Sequence, residues 1–68
     1  MRVRNEILSR VKADADLKRE LMYRLGFSEA TLYRYLSQNA ADGALTKVKA
    51  VKIIALKLGL GEDMILTP

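Results

Sequence analysis

Apolar residues return along this chain at three- and four-residue intervals, and the pattern predicts helices and no strand. The most informative stretch is 17–39, LKRELMYRLGFSEATLYRYLSQN. Leu17, Leu21, Met22 and Leu25 form one apolar stripe. Gly26 follows, where a glycine takes the positive φ that ends a helix. Phe27 is placed to anchor the turn, and Ser28 to cap a new helix by accepting a backbone N–H. Glu29 then sits in a first turn, where negative charge is favourable. Leu32, Tyr35 and Leu36 form the second stripe, which leaves Ala30, Thr31, Tyr33, Arg34, Ser37 and Gln38 facing outward. The stretch therefore predicts two helices and a tight turn, the second helix having one edge held by the body and a polar edge left free.

The same periodicity extends to both sides. Val3, Ile7, Leu8 and Val11 predict a first helix over about 2–13, with Arg2, Arg4, Arg10 and Lys12 on its other faces. These cations read as a solvated face, or, for Arg2 and Arg4 together, as a short arm reaching phosphate or a minor groove. Asp14 or Asp16 can cap the second helix, about 16–25. Lys18 and Arg19 stand in its first turn, slightly against the helix dipole and beside free backbone N–H groups, a place where a phosphate would be well held. After the third helix, about 28–38, the run Asn39-Ala40-Ala41-Asp42-Gly43-Ala44 has loop chemistry. Thr46 is a suitable cap for a fourth helix, about 46–58. Val48, Val51, Ile54, Ala55 and Leu58 make its main stripe. Lys49, Lys52 and Lys57 lie opposite, and Ile53 and Leu56 break into that far side. Such a helix is either covered on two sides or meets another subunit. Gly59 ends it, Leu60 completes the cap, and 62–66 reads as a short fifth helix with Glu62 and Asp63 at its start.

Composition narrows the picture further. At 68 residues the chain predicts one domain, 1–68, with a small core. It contains no cysteine and no histidine, which excludes disulfides and a Cys/His zinc site. Twelve Lys and Arg against eight Asp and Glu give a net charge of +4, a modest bias that suits a polyanionic partner. No apolar run approaches the ~20 residues that span a bilayer. The opening MRVRNEILSR lacks the apolar core of a secretory signal, and a cytoplasmic location, bacterial cytoplasm or nucleoid, is expected. No metal, cofactor or small-molecule ligand is implied.

These residues resemble the lambda-repressor-like family of helix–turn–helix domains, the Xre or Cro/C1 type, over nearly the whole chain. Leu21, Leu25, Gly26, Phe27, Leu32 and Tyr35 stand where that signature has apolar, apolar, glycine, apolar, apolar and apolar. Independently, 54–65, IALKLGLGEDMI, is similar to the family's closing stretch. The resemblance implies an all-α, compact five-helix bundle. Three departures stand out. Met22 occupies a helix-crossing position where the family usually has alanine, Lys18 replaces a frequent phosphate-binding glutamine, and the loop from Asn39 to Leu45 is longer than usual. The segment GFSEATLYRYL also resembles recombinase helix–turn–helix domains, which would leave the last twenty or so residues unexplained.

By the resemblance, Glu29, Ala30, Thr31, Tyr33 and Arg34 would face bases or the adjoining backbone. Arg34 is the foremost of them, since a guanidinium can bond guanine O6 and N7 together; its alternative is a surface pairing with Glu29 or Gln38. Thr31 would meet a thymine methyl or phosphate, or a local backbone group. Glu29 would accept from a cytosine amine, or serve only as a first-turn residue. Tyr33 would bond phosphate or stack if outward, and join the core if inward. Tyr35 is expected in the core, with its hydroxyl at the edge. Lys18, Arg19, Gln38, Asn39, Lys47 and Lys49 are the phosphate candidates. A homodimer is expected, because one such domain covers few base pairs, with Ile53, Leu56, Met64, Ile65 and Leu66 as its surface.

The function these expectations add up to is sequence-specific binding of double-stranded DNA by a small regulator of phage or bacterial type, with helix 28–38 in the major groove. The rival is a protein-interaction module, adaptor or antitoxin-like, on the same fold. An enzyme is disfavoured: there is no Gly-rich phosphate loop and no Ser/Lys pair with an oxyanion site, and Asp14 and Asp16 are explained as caps. A membrane-surface role for the Lys-rich fourth helix fits less well than burial of its broad apolar surface.

Overall fold

A computed structural model describes residues 1–68. Four helices carry the chain: α1 (Asn5–Ala13), α2 (Ala15–Leu25), α3 (Glu29–Gln38) and α4 (Val48–Leu58). Single 3₁₀ turns at Ala44–Thr46 and Glu62–Met64 connect and close them. Two short strands, β1 (Arg2–Val3) and β2 (Leu66–Thr67), pair antiparallel, Arg2 opposite Thr67 and Val3 opposite Leu66. No helix is long and apolar enough to cross a membrane.

Local chemistry sets most of the boundaries. Asp14 Oδ1 accepts the Leu17 N–H at 3.0 Å and caps α2. Asp16, the other candidate cap, pairs instead with Arg19 at 2.9 Å. Ser28 Oγ caps α3 by accepting from the Thr31 N–H at 3.1 Å. Gly26 (φ 73°) and Gly59 (φ 69°) both take the left-handed conformation. Each lets the following N–H reach back to the helix: Phe27 to Met22 O at 3.1 Å and Leu60 to Ala55 O at 2.9 Å.

The core is wholly apolar, with no buried polar or charged side chain. Leu17 and Leu21 of α2, Leu32 and Leu36 of α3, and Val51, Ile54 and Ala55 of α4 meet there, closed by Ile7 and Val11 of α1. Met22, Leu25, Phe27 and Tyr35 pack against this cluster half-buried. Met22 therefore packs toward the core rather than turning out to solvent. Phe27 and Tyr35 meet edge to face, with ring centroids 5.1 Å apart.

Both ends differ from the five-helix expectation. Residues 2–4 are extended rather than the first turn of α1. Val3 is buried, the Arg4 N–H donates to Ile65 O at 2.9 Å, and Arg4 Nε donates to Leu66 O at 3.2 Å. The expected fifth helix at 62–66 is one 3₁₀ turn followed by β2. Three residues form too short a run to repay helix nucleation, and pairing with β1 satisfies the backbone instead. Thr46 does not cap α4. Its hydroxyl donates to Gly43 O at 2.7 Å within the 3₁₀ turn, and α4 begins two residues later, at Val48.

Candidate nucleic-acid interface

The outer face of α3 follows from its periodicity. Leu32 and Leu36 are buried, so Ala30, Tyr33, Arg34, Ser37 and Gln38 lie on the sides turned away from the core and are exposed, while Glu29, in line with the two leucines, is exposed because it stands in the first turn. The three-residue turn Gly26-Phe27-Ser28 and the Phe27–Tyr35 contact fix this helix to α2 and the core. No carboxylate lies within ion-pairing distance of Arg34. Its guanidinium carbon lies over the Tyr35 ring, 5.5 Å from the centroid, and Tyr35 itself is half-buried. Thr31 is half-buried at the border of the face, and its hydroxyl accepts from Ser28 Oγ at 2.9 Å. Tyr33 is outward at 47% exposure.

Lys18 reaches this face from α2. Its Nζ sits over the Tyr33 ring, 5.3 Å from the centroid. Beside it lies a residue that the sequence pattern did not single out. Lys12, near the end of α1, joins Lys18, Tyr33, Leu36 and Ser37 around an open hollow of about 220 Å³. Lys12 reads as an ordinary solvated cation within α1, and only the sharp α1–α2 junction at Asp14 brings it level with α3. Neither lysine has a carboxylate partner, so the hollow concentrates positive charge next to a tyrosine and a serine hydroxyl. Such a hollow can accept a phosphate oxygen.

The other expected phosphate residues separate into distinct places. Arg19 does not line this hollow and pairs with Asp16, an exposed contact of little energetic weight. Gln38 is exposed and lines a shallow fissure with Tyr35 and the 40–45 loop. Asn39 is already engaged: its Oδ1 accepts from the Val3 N–H at 3.2 Å and its Nδ2 donates to Val3 O at 2.9 Å. It adds a side-chain rung to the terminal ladder. Lys47 is exposed at the start of α4, near Asp42. Lys49 belongs with Arg24, Lys52 and Ile53 in a separate hollow between α2 and α4.

No family model, curated protein or solved structure matches the chain. What the α3 face can do therefore rests on its own chemistry.

Of the residues expected at a dimer contact, Ile65 is fully buried and belongs to the core. The dimer surface expected at 64–66 assumes a short helix, but in a 3₁₀ turn followed by a strand these residues diverge. Met64 is 47% exposed, Ile65 points inward, and Leu66 is half-buried in the ladder. Ile53 is half-buried, and Leu56, at 82%, is the most exposed aliphatic side chain.

Proposed function

We propose that this chain binds double-stranded DNA with sequence preference, as a small regulator of bacterial or phage type, and that α3 enters the major groove. The observation that carries the reading is the division of α3. Its inner edge is locked by Leu32 and Leu36, while its outer edge presents Arg34, Tyr33, Ser37 and Gln38 to solvent beside Lys12 and Lys18. A groove-reading helix needs hydrogen-bonding side chains on a rigid support, with cations beside it for phosphate. Glu29, in the first turn, is the one acid in α3. In this reading Arg34 is the principal base contact. Glu29, Ala30 and Thr31, at the start of the helix, meet the neighbouring base edges, and Tyr33 bonds a backbone oxygen. Lys18, Lys12 and Gln38 hold phosphate, with Lys47 reaching the backbone from the far side of the loop. Two copies would occupy adjacent half-sites, since a single ten-residue helix reads few base pairs.

Selection from a random duplex library, followed by titration of the recovered site at several salt concentrations, tests this. The expected outcome is a recovered consensus whose affinity falls linearly on logarithmic axes with salt, at a slope of about −0.9 per phosphate contacted. Absence of binding to any duplex at low salt would end the proposal.

A further inference from the structure

The outward side of α4 has a different character from that of α3. Lys49, Lys52, Ile53, Leu56 and Lys57 follow one another at intervals of three, one, three and one residues, so they share one helix face. Against α2 this face forms a continuous shallow groove. One hollow of about 330 Å³ is lined by Arg24, Leu25, Lys49, Lys52 and Ile53. A second, of about 310 Å³, shares Arg24 and Ile53 and adds Glu20, Leu56 and Lys57. Half-buried Leu25 and Ile53 form the floor of the groove, Leu56 stands beside them, and the rim is cationic apart from Glu20. Arg24 is paired with Glu20, but Lys49, Lys52 and Lys57 have no carboxylate within reach.

We infer that this α2–α4 groove docks an acidic amphipathic helix of a different protein. A scattered exposed leucine needs no explanation, but here Leu25, Ile53 and Leu56 lie together beside three unpaired ammonium groups of α4, with the Glu20–Arg24 pair on the α2 side. Aliphatic anchors favour an apolar stripe on the partner, and the rim favours carboxylates flanking that stripe. From Lys49 to Lys57 the face extends about 12 Å, roughly two turns of a docked helix. A second copy of this chain is a poor occupant, because two-fold pairing would set Lys49, Lys52 and Lys57 against their own equivalents. Duplex DNA is also a poor occupant, since its phosphate ridges leave Ile53 and Leu56 unmatched. The inference is independent of the proposed role of α3, because it uses none of the same residues.

The test uses the full chain and a fluorescent peptide of about 18 residues, with leucines at i, i+3 and i+7 and glutamates beside them. A scrambled peptide of identical composition is the control. The expected result is binding at least about tenfold tighter than to the scramble. Leu56→Ser and Lys52→Glu should each weaken it by about fivefold or more, with circular dichroism unchanged. A glutamate-to-lysine swap in the peptide should restore binding to Lys52→Glu, and Arg34→Ala should leave the peptide affinity as it was. Equal affinity for the scramble, or no response to either groove substitution, overturns the proposal. It is also overturned if the chain sediments as a dimer that Leu56→Ser splits, or if Leu56→Ser weakens binding of a duplex pool rather than of the peptide.

Discussion

Helices α3 and α4 are nearly equal in length, and each buries one side in the same core, yet their free sides have little in common. The outer side of α3 carries a guanidinium, a phenol, a hydroxyl and a carboxamide. Those groups have directional hydrogen bonds to offer, and they suit a surface whose information lies in donors and acceptors, such as base edges. The outer side of α4 carries Val48 and Leu56 among lysines, that is, apolar area and point charges. That combination suits a partner with an apolar stripe and diffuse negative charge. Hydrophobic periodicity places the inner side of both helices and is silent about the outer one. The chemistry of the outer side is what separates a groove reader from a docking face.

Substitutions that contrast inner and outer edges give the largest expected effects. Leu32→Ala, on the locked edge of α3, should cost about 2–5 kcal/mol, enough to unfold much of so small a domain. Leu56→Ala, on the free side of α4, should stay within about 0.5 kcal/mol of the parent. Urea denaturation of the two variants checks both. A large loss from Leu56→Ala would mean that α4 is already covered in solution.

Next in size is Asn39, which separates structural from recognition roles at the end of α3. Removing its side chain leaves the Val3 N–H and C=O without these partners, an expected loss of about 1–3 kcal/mol. Asn39 also holds φ at 41°, so Asn39→Gly, which relieves the backbone, should be milder than Asn39→Ala. Thermal unfolding of the pair separates the lost bonds from the left-handed backbone. If both variants unfold like the parent and weaken duplex binding instead, Asn39 belongs to the interface.

Arg34→Ala should leave stability unchanged and cost about 1–3 kcal/mol of discrimination at one base pair of the selected site. Lys12→Ala should weaken all duplexes alike and flatten the salt slope by about one contact. Equal losses on every sequence for Arg34→Ala would make it a phosphate contact rather than a base reader.

The smallest effect is electrostatic. The N-terminal ammonium donates to Asp42 at 3.0 Å and, by that bond first and its charge second, holds the carboxyl below its ordinary value of 3.8. A lowered folded value means the contribution is present above the unfolded value and disappears as pH falls through the folded one. Both groups are exposed, so salt screens it. Asp42→Asn should differ slightly from the parent at neutral pH and low salt, and converge with it in acid or at about 0.5 M salt.

Reading the residues in order located α2, α3 and the end of α4 well, because Asp14, Ser28, Gly26 and Gly59 act locally. The two ends were misread for the opposite reason. The pairing of Val3 with Leu66 joins residues from opposite ends of the chain, and a two-residue strand has no period to detect. The burial of Ile65 and the hydrogen bonds of Asn39 have the same origin, since both exist only once the ladder forms. On the α3 face, the outward placement of Arg34 and Tyr33 follows from spacing within one helix. That of Lys12 beside Tyr33 does not, because it depends on the angle at which α1 meets α2.

The most direct test of the contrast between the two faces is amide chemical-shift mapping of the labelled chain against its selected duplex. The account predicts the largest changes along Glu29–Gln38 and at Lys12 and Lys18, with Ile53, Leu56 and Lys57 undisturbed. Changes centred on the α2–α4 groove, with α3 silent, would contradict it.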